Sequence, residues 1–177
     1  MRLDGNGLYL RRPVTNDFDE LIALYRSSRK HLRGLVQPSY DRESYDRSLA
    51  EAELDSTERF FVCRASDHVI AGTITLSQIF RKSFQNAYLG YLLGSAFTGK
   101  GHMTEAVRLM LRYAFTDLRL HRIEANVQPE NEPSLAVLRR NGFVKEGFSR
   151  KYLKIGGKWR DHERWAIIKE DWKNNRE

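Results

Sequence analysis

The chain has 177 residues, 41% hydrophobic and 30% charged, which fits one folded domain over residues 1–177 and excludes a disordered chain. A formal net charge of +7 favours anionic partners, and no apolar run reaches the roughly 18 residues needed to cross a bilayer. Cys63 stands alone, which rules out an internal disulfide, argues against a cysteine-based zinc site, and points to a reducing, cytoplasmic setting.

The opening stretch, MRLDGNGLYLRRP, has no long apolar segment of the secretory-signal kind. Leu8–Arg11 reads as a first strand, ended by Pro13. Asp17 is placed to cap a helix, with Glu20 three residues on. Phe18, Leu21, Ile22 and Tyr25 then follow at i, i+3, i+4, i+7. Residues 29–40 read as irregular, and a more polar helix is expected over Glu43–Leu54.

Phe60–Ala65 and Val69–Leu76 are predicted strands joined by a turn near Ser66-Asp67. Cys63 lies in the apolar run of the first and reads as a core residue, not a nucleophile. Ala87–Leu93 is another strand. Met103, Val107, Met110, Leu111, Ala114 and Leu118 mark a long helix. Arg122–Val127 is a strand, Ser134–Asn141 a short helix with Pro133 at its start and Gly142 past its end. Phe148–Ile155 and Trp159–Ile168 form a closing hairpin across Gly156-Gly157. Trp159, Trp165 and Trp172 read as core and edge packing, not a base-stacking platform. The order implies a mixed α/β sheet with helices on its faces.

The most informative stretch runs from Gly94 to Thr104, between a strand and a helix. Glycines there free backbone N–H groups, and a helix N-terminus adds partial positive charge, a combination that suits a pyrophosphate. Gly94-x-x-x-x-Gly99-Lys100 begins like a nucleotide-triphosphate loop, but Gly101 stands where Ser or Thr would hold magnesium. His102 and His121 form no ligand spacing, so no metal is expected.

Thr98-Gly99-Lys100-Gly101-His102-Met103 resembles the pyrophosphate loop of the GNAT acyltransferases, Q/R-x-x-G-x-G/A, with departures at Thr98 and Met103. Leu89–Gly94, Thr104-Glu105-Ala106, Leu120–Val127, Asn131-Glu132-Pro133-Ser134 and Asn141-Gly142-Phe143 resemble the neighbouring segments of that family. The tail Tyr152-Leu153-x-x-Gly156-x-x-Trp159-Arg160-Asp161-His162 is similar to its RimJ/RimL-like branch, the ribosomal-protein alanine N-acetyltransferases. The resemblance implies a GNAT fold: a mostly antiparallel seven-stranded sheet, about four flanking helices, and splayed fourth and fifth strands. It implies acetyl transfer from acetyl-CoA to an amine, by direct attack on the thioester and with no metal.

On the same resemblance, Leu92, Leu93 and Asn131 would contact the pantetheine arm, with the Leu93 N–H meeting the developing oxyanion. Thr98, Gly99, Lys100, Gly101, His102, Met103 and Thr104 would hold the pyrophosphate. The tyrosine that many members place near the sulfur is replaced by Leu138, whereas Ser134 matches the RimL-type serine. Ser134 is therefore read either as an acid toward the thiolate or as a plain helix-terminus serine. Glu124 reads better as an arginine partner than as a base, the RimL-type glutamate falls near Lys151, and Glu146, Asp161 and His162 have no supporting spacing. The expected acceptor is a protein N-terminus, plausibly ribosomal. A small amine (polyamine, amino acid or aminoglycoside) is the alternative, and a non-catalytic coenzyme A binder or basic RNA-binding module is the non-enzymatic one. Residues 29–40 and the Gly156-Gly157 hairpin are expected to border the acceptor groove. The oligomeric state, monomer or homodimer, is left open.

Overall fold

The computed structural model describes residues 1–174. Its strands are β1 (Arg2–Asp4), β2 (Leu8–Arg11), β3 (Glu58–Arg64), β4 (Ile70–Phe80), β5 (Asn86–Leu93), β6 (Arg122–Val127), β7 (Val144–Ile155) and β8 (Lys158–Ile168). Its helices are α1 (Phe18–Ser27), α2 (Arg29–Leu32), α3 (Arg42–Glu51), α4 (His102–Thr116), α5 (Glu132–Arg140) and α6 (Lys169–Asn174). One sheet runs β1-β2-β3-β4-β5-β6-β8-β7. Every neighbouring pair is antiparallel except β5 and β6, which α4 connects in parallel.

The sheet holds eight strands rather than seven. The added edge strand β1 pairs Leu3 with Leu10 and is only three residues long, too short for alternation to reveal. Four helices exceed eight residues, and α2 and α6 are short additions. The polar helix α3 spans Arg42–Glu51, where Asp41 caps it by accepting from the Ser44 N–H at 2.8 Å.

Each sheet face buries its own core. Strand alternation turns Phe60, Val62, Ile74, Leu76, Ile123 and Ala125 toward α4 and α5. Phe61, Cys63 and Tyr9 face the opposite way, against Leu21 and Leu24 of α1 and Tyr45 of α3. Cys63 is fully buried, and burial pushes its thiol pKa up, which suits packing and not attack. Trp165 and Trp172 are buried, but Trp159 is 59% exposed on the β7–β8 hairpin and packs no core.

Asp17 does not cap α1. Its carboxylate takes two 2.7 Å bonds from the Arg11 guanidinium and a third, at 2.8 Å, from the Val14 N–H. A bidentate bond between two opposite charges outweighs a cap in which only the carboxylate is charged, and the expected box partner Glu20 instead accepts from the Ile70 N–H at 2.6 Å. These contacts clamp α1 to β2 and β4.

Candidate active site

β5 and β6 pair only from Asn86↔Arg122 to Tyr88↔Glu124. Beyond that point β5 stays on β4 through Leu93, and β6 stays on β8 through Val127. The strands part, and a cavity of about 1010 Å³ opens between them.

The direction of the backbone groups in this gap follows from the pleat. The Gly94 N–H donates to the Ala71 carbonyl at 2.8 Å, toward β4. Peptide groups alternate along an antiparallel strand, so those of Leu93 and Tyr91 point into the gap. Those of Leu92 are spent on β4, and its carbonyl lies against Gly72. Leu92 therefore contributes a cavity-lining side chain only. The backbone groups turned toward the gap are those of Leu93 and Tyr91, and Tyr91 is one that sequence reasoning missed although it lies two residues away on the same edge.

Past Gly94 the chain makes a short helical turn over Ser95–Phe97 and enters α4 through Gly99 and Gly101. Both glycines are left-handed, at φ +73° and +78°, a region that L side chains enter at a cost. The backbone N–H groups of residues 99–104 bond no protein acceptor among the described residues. Six free donors at the N-terminus of a 15-residue helix form an anion cradle. Thr98, Gly99, Gly101, His102, Met103 and Thr104 line the cavity, whereas the Lys100 side chain turns back and donates to the Ala96 carbonyl at 3.1 Å. Burial, Lys100 and Arg64 lower the His102 pKa, so its imidazole is neutral near pH 7.

The opposite wall is the start of α5. Asn131 caps it, its carboxamide oxygen 3.4 Å from the Ser134 N–H, and both residues line the cavity. The Tyr91 hydroxyl donates to the Ser134 carbonyl at 3.1 Å, tying β5 to α5 across the gap. Burial raises the Tyr91 pKa, so the phenol remains a donor. The Ser134 side chain also lies beside the Tyr91 phenol, a contact that offsets part of that rise. Leu138, where a tyrosine acid would stand, is fully buried in the core.

Glu124 bonds Arg122 at 3.0 Å, and Glu146 holds the same guanidinium; neither lines the cavity. Lys151 and Asp161 also stay away from it, joined to each other by a 2.7 Å bond from the Lys151 N–H to the Asp161 carboxylate. His162 does line it. It is 2% exposed, its ring packs on Tyr152, and Nδ1 lies 3.1 Å from the Arg160 carbonyl. The geometry assigns the proton to Nδ1 and leaves Nε2 as the acceptor.

A mouth forms where the α2 segment meets the last hairpin. His31, Leu32, Leu35 and Val36 face Leu153 and Ile155 across it. The Gln128 carboxamide donates to the Gly34 carbonyl at 2.8 Å, and Gln37 accepts from the Gly156 N–H at 3.2 Å. The two segments expected to border the groove thus both reach it. Gln128 escaped sequence reasoning because its partner lies 94 residues away. Among the described residues, no three His, Cys, Asp or Glu side chains gather as a metal site, and no helix is long and apolar enough to cross a membrane.

Residues 7–144 match the acetyltransferase (GNAT) domain family. A probable N-acetyltransferase of Bacillus subtilis, YjcK, is 40% identical over 96% of this chain and 98% of its own. The solved ribosomal-protein-S5-alanine acetyltransferase of Vibrio fischeri superposes with a TM-score of 0.88, at 33% identity, over 97% of this chain and 98% of that one. Mycobacterium smegmatis RimJ, solved with CoA-disulfide, superposes with a TM-score of 0.87 at 30% identity, over 96% and 87% of the two chains. A spermidine N(1)-acetyltransferase of Vibrio cholerae is 28% identical over 70% of each chain. The free amide cradle and the opened strands fit the pyrophosphate and the pantetheine arm of such a donor. The chain belongs to the GNAT family of acetyltransferases, in its RimJ/RimL-like branch, and is an acetyl-CoA-dependent N-acyltransferase.

Proposed function

We propose that this enzyme acetylates the N-terminal α-amine of a protein, a ribosomal protein being the leading candidate. The observation that carries the reading is the chemistry of the mouth: its walls are His31, Leu32, Leu35, Val36, Leu153 and Ile155, with no carboxylate. Among the described residues, the acids on the cavity are Glu130 and Glu132, both exposed at the start of α5, and Glu132 is paired with Arg139. Such a groove accepts one amine on a chain of modest polarity. A polyamine needs several carboxylates and finds none at the mouth. The likeness to the Vibrio fischeri enzyme supports the same reading.

Bound acetyl-CoA supplies an activated thioester. Residues 99–104 would hold its pyrophosphate through their free N–H groups, and Thr98 borders them. Asn131, the Leu92 side chain and the gap-facing backbone of Tyr91 and Leu93 would align the arm. The Leu93 N–H would donate to the carbonyl oxygen as charge gathers there. An α-amine has a reference pKa near 8, so it needs only modest help to lose its proton. Among the three imidazoles on the cavity, only that of His162 is buried, and it would accept this proton at Nε2. The Ser134 hydroxyl, on the cavity wall, would donate to the departing thiolate.

The second reading, a small-amine acetyltransferase, rests on the spermidine relative. Thiol release with alanine-initiated peptides but not with spermidine would support the first, and the reverse result would replace it with the second.

A further inference from the structure

A second cavity, of about 250 Å³, lies on the α1–α3 face of the sheet. Its polar lining includes Tyr25, Ser39, Ser48, Arg59, Thr73 and Thr75, and among the described residues Arg59 is the one charged side chain on it. The pairing register ties it to the acetyl-transfer gap: Arg59 lies beside Thr75, and Thr75 beside Gly90, which lines the main cavity. Directly paired residues share a face, and strands are spaced by about 4.8 Å, so Arg59 sits about 10 Å across the sheet from Gly90 and about 14 Å from Leu93, three residues further along β5.

The Arg59 guanidinium is incompletely met. Its Nε is buried without a hydrogen-bond partner. Among the described residues its one acidic partner, the half-exposed Glu51 carboxylate, is 4.0 Å away, beyond hydrogen-bond reach. A guanidinium presents a planar fork that matches a carboxylate, and the Ser39 and Thr75 hydroxyls on the same lining can donate to the remaining lone pairs; Ser48 already donates to the Tyr45 carbonyl at 2.7 Å. We infer that the acceptor carries a carboxylate, and that Arg59, with these hydroxyls, receives it while the amine sits in the β5–β6 gap. The inference rests on the amine-acetylation reading and narrows it. An extended chain advances about 3.3 Å per residue, so the acid falls within the first four residues of a protein N-terminus. A small amino acid long enough to span the same distance would supply the same group. Arg59 equally repels a polycation.

The test compares thiol release for two alanine-initiated hexapeptides that differ only by Glu or Gln at the third position, beside a free ω-amino acid of matching length. It uses the wild-type protein, Arg59→Gln and Arg59→Lys, with melting curves as the folding control. The wild type should prefer the acidic peptide at least tenfold in kcat/KM. Arg59→Gln should bring the ratio near one while the KM for acetyl-CoA stays within twofold, and Arg59→Lys should keep part of it. Preference for the ω-amino acid, lost in Arg59→Gln, would support the site with a small acceptor as its source. A wild-type ratio near one, or a ratio kept in Arg59→Gln, would overturn the inference. Calorimetric titration with glutarate decides the matter without turnover. Saturable binding weakened tenfold or more in Arg59→Gln supports the site, and equal or absent binding overturns it. Glutarate binding with no peptide turnover would leave the Arg59 site standing and displace only the protein acceptor.

Discussion

Gly101 offers a sharp test of the anion cradle, because two substitutions there separate backbone strain from charge. At φ +78° an L residue adopts the left-handed region at a cost of about 1–2 kcal/mol. A Cβ built at this position meets nothing within 4 Å, so no clash adds to that strain. For a domain of this size the melting temperature should fall by about 2–8 °C in both Gly101→Ala and Gly101→Glu. The glutamate also places a negative charge among the free N–H groups of residues 99–104. At about 5 Å and an effective dielectric near 20, each facing phosphate charge costs about 3 kcal/mol, a loss of about 100-fold in affinity. Calorimetry with coenzyme A should therefore show Gly101→Ala within about tenfold of wild type and Gly101→Glu weakened by 100-fold or more, less so in high salt. A folded Gly101→Glu that binds with wild-type affinity would refute the placement of the pyrophosphate. Equal losses in both variants would refute the electrostatic account.

Other consequences follow from the opposite wall, the proton path and the scaffold. Ser134→Ala should lower kcat about tenfold or more with the KM for acetyl-CoA within twofold; unchanged turnover would remove the hydroxyl from the reaction. His162→Gln should lower kcat about tenfold or more with the KM for acetyl-CoA within twofold, and unchanged turnover would show that the proton leaves by another route. His102 has a pKa below its ordinary value because of burial and two cationic neighbours, and a pyrophosphate beside it would raise that value. Binding then takes up a proton, so coenzyme A affinity should rise as pH falls from 7 toward 5.5 by more in wild type than in His102→Gln; parallel curves would contradict this. Asp17→Asn breaks the charged pair with Arg11, whose partners are 10% and 26% exposed, and should cost about 2–3 kcal/mol in urea unfolding; a change below about 0.5 kcal/mol would refute its clamping role.

Much of this site was legible because it is built from local backbone geometry. The glycines at 99 and 101, the strand before them and the helix after them form one contiguous stretch, and its resemblance to the pyrophosphate loop could be read by eye. The pleat of β5 could not. Which of Leu92 and Leu93 faces the gap depends on the register with β4, and that register depends on residues 20 positions away. His162 and Gln128 were opaque for the same reason, since each reaches the cavity through long-range packing. Arg59 carries no signal of its own in the sequence, because the register that sets it beside Thr75, and Thr75 beside Gly90, joins three separate strands. The strand and helix periods carried the fold, but β1 is three residues and α6 six, too short to express a period. Asp17 carries a helix-cap signature, yet Arg11 claims its carboxylate, a contest visible only once β2 and α1 are adjacent.

The central claim is that the β5–β6 gap joins an acetyl group to one α-amine admitted through the α2–hairpin mouth. The most direct test incubates the protein with acetyl-CoA and an equimolar mixture of Ala-, Ser- and Thr-initiated peptides, spermidine and an aminoglycoside, and identifies the products by mass spectrometry. The account predicts acetyl on peptide α-amines, abolished in Gly101→Glu, with spermidine and aminoglycoside unchanged. Acetylated spermidine or aminoglycoside with untouched peptides would contradict it.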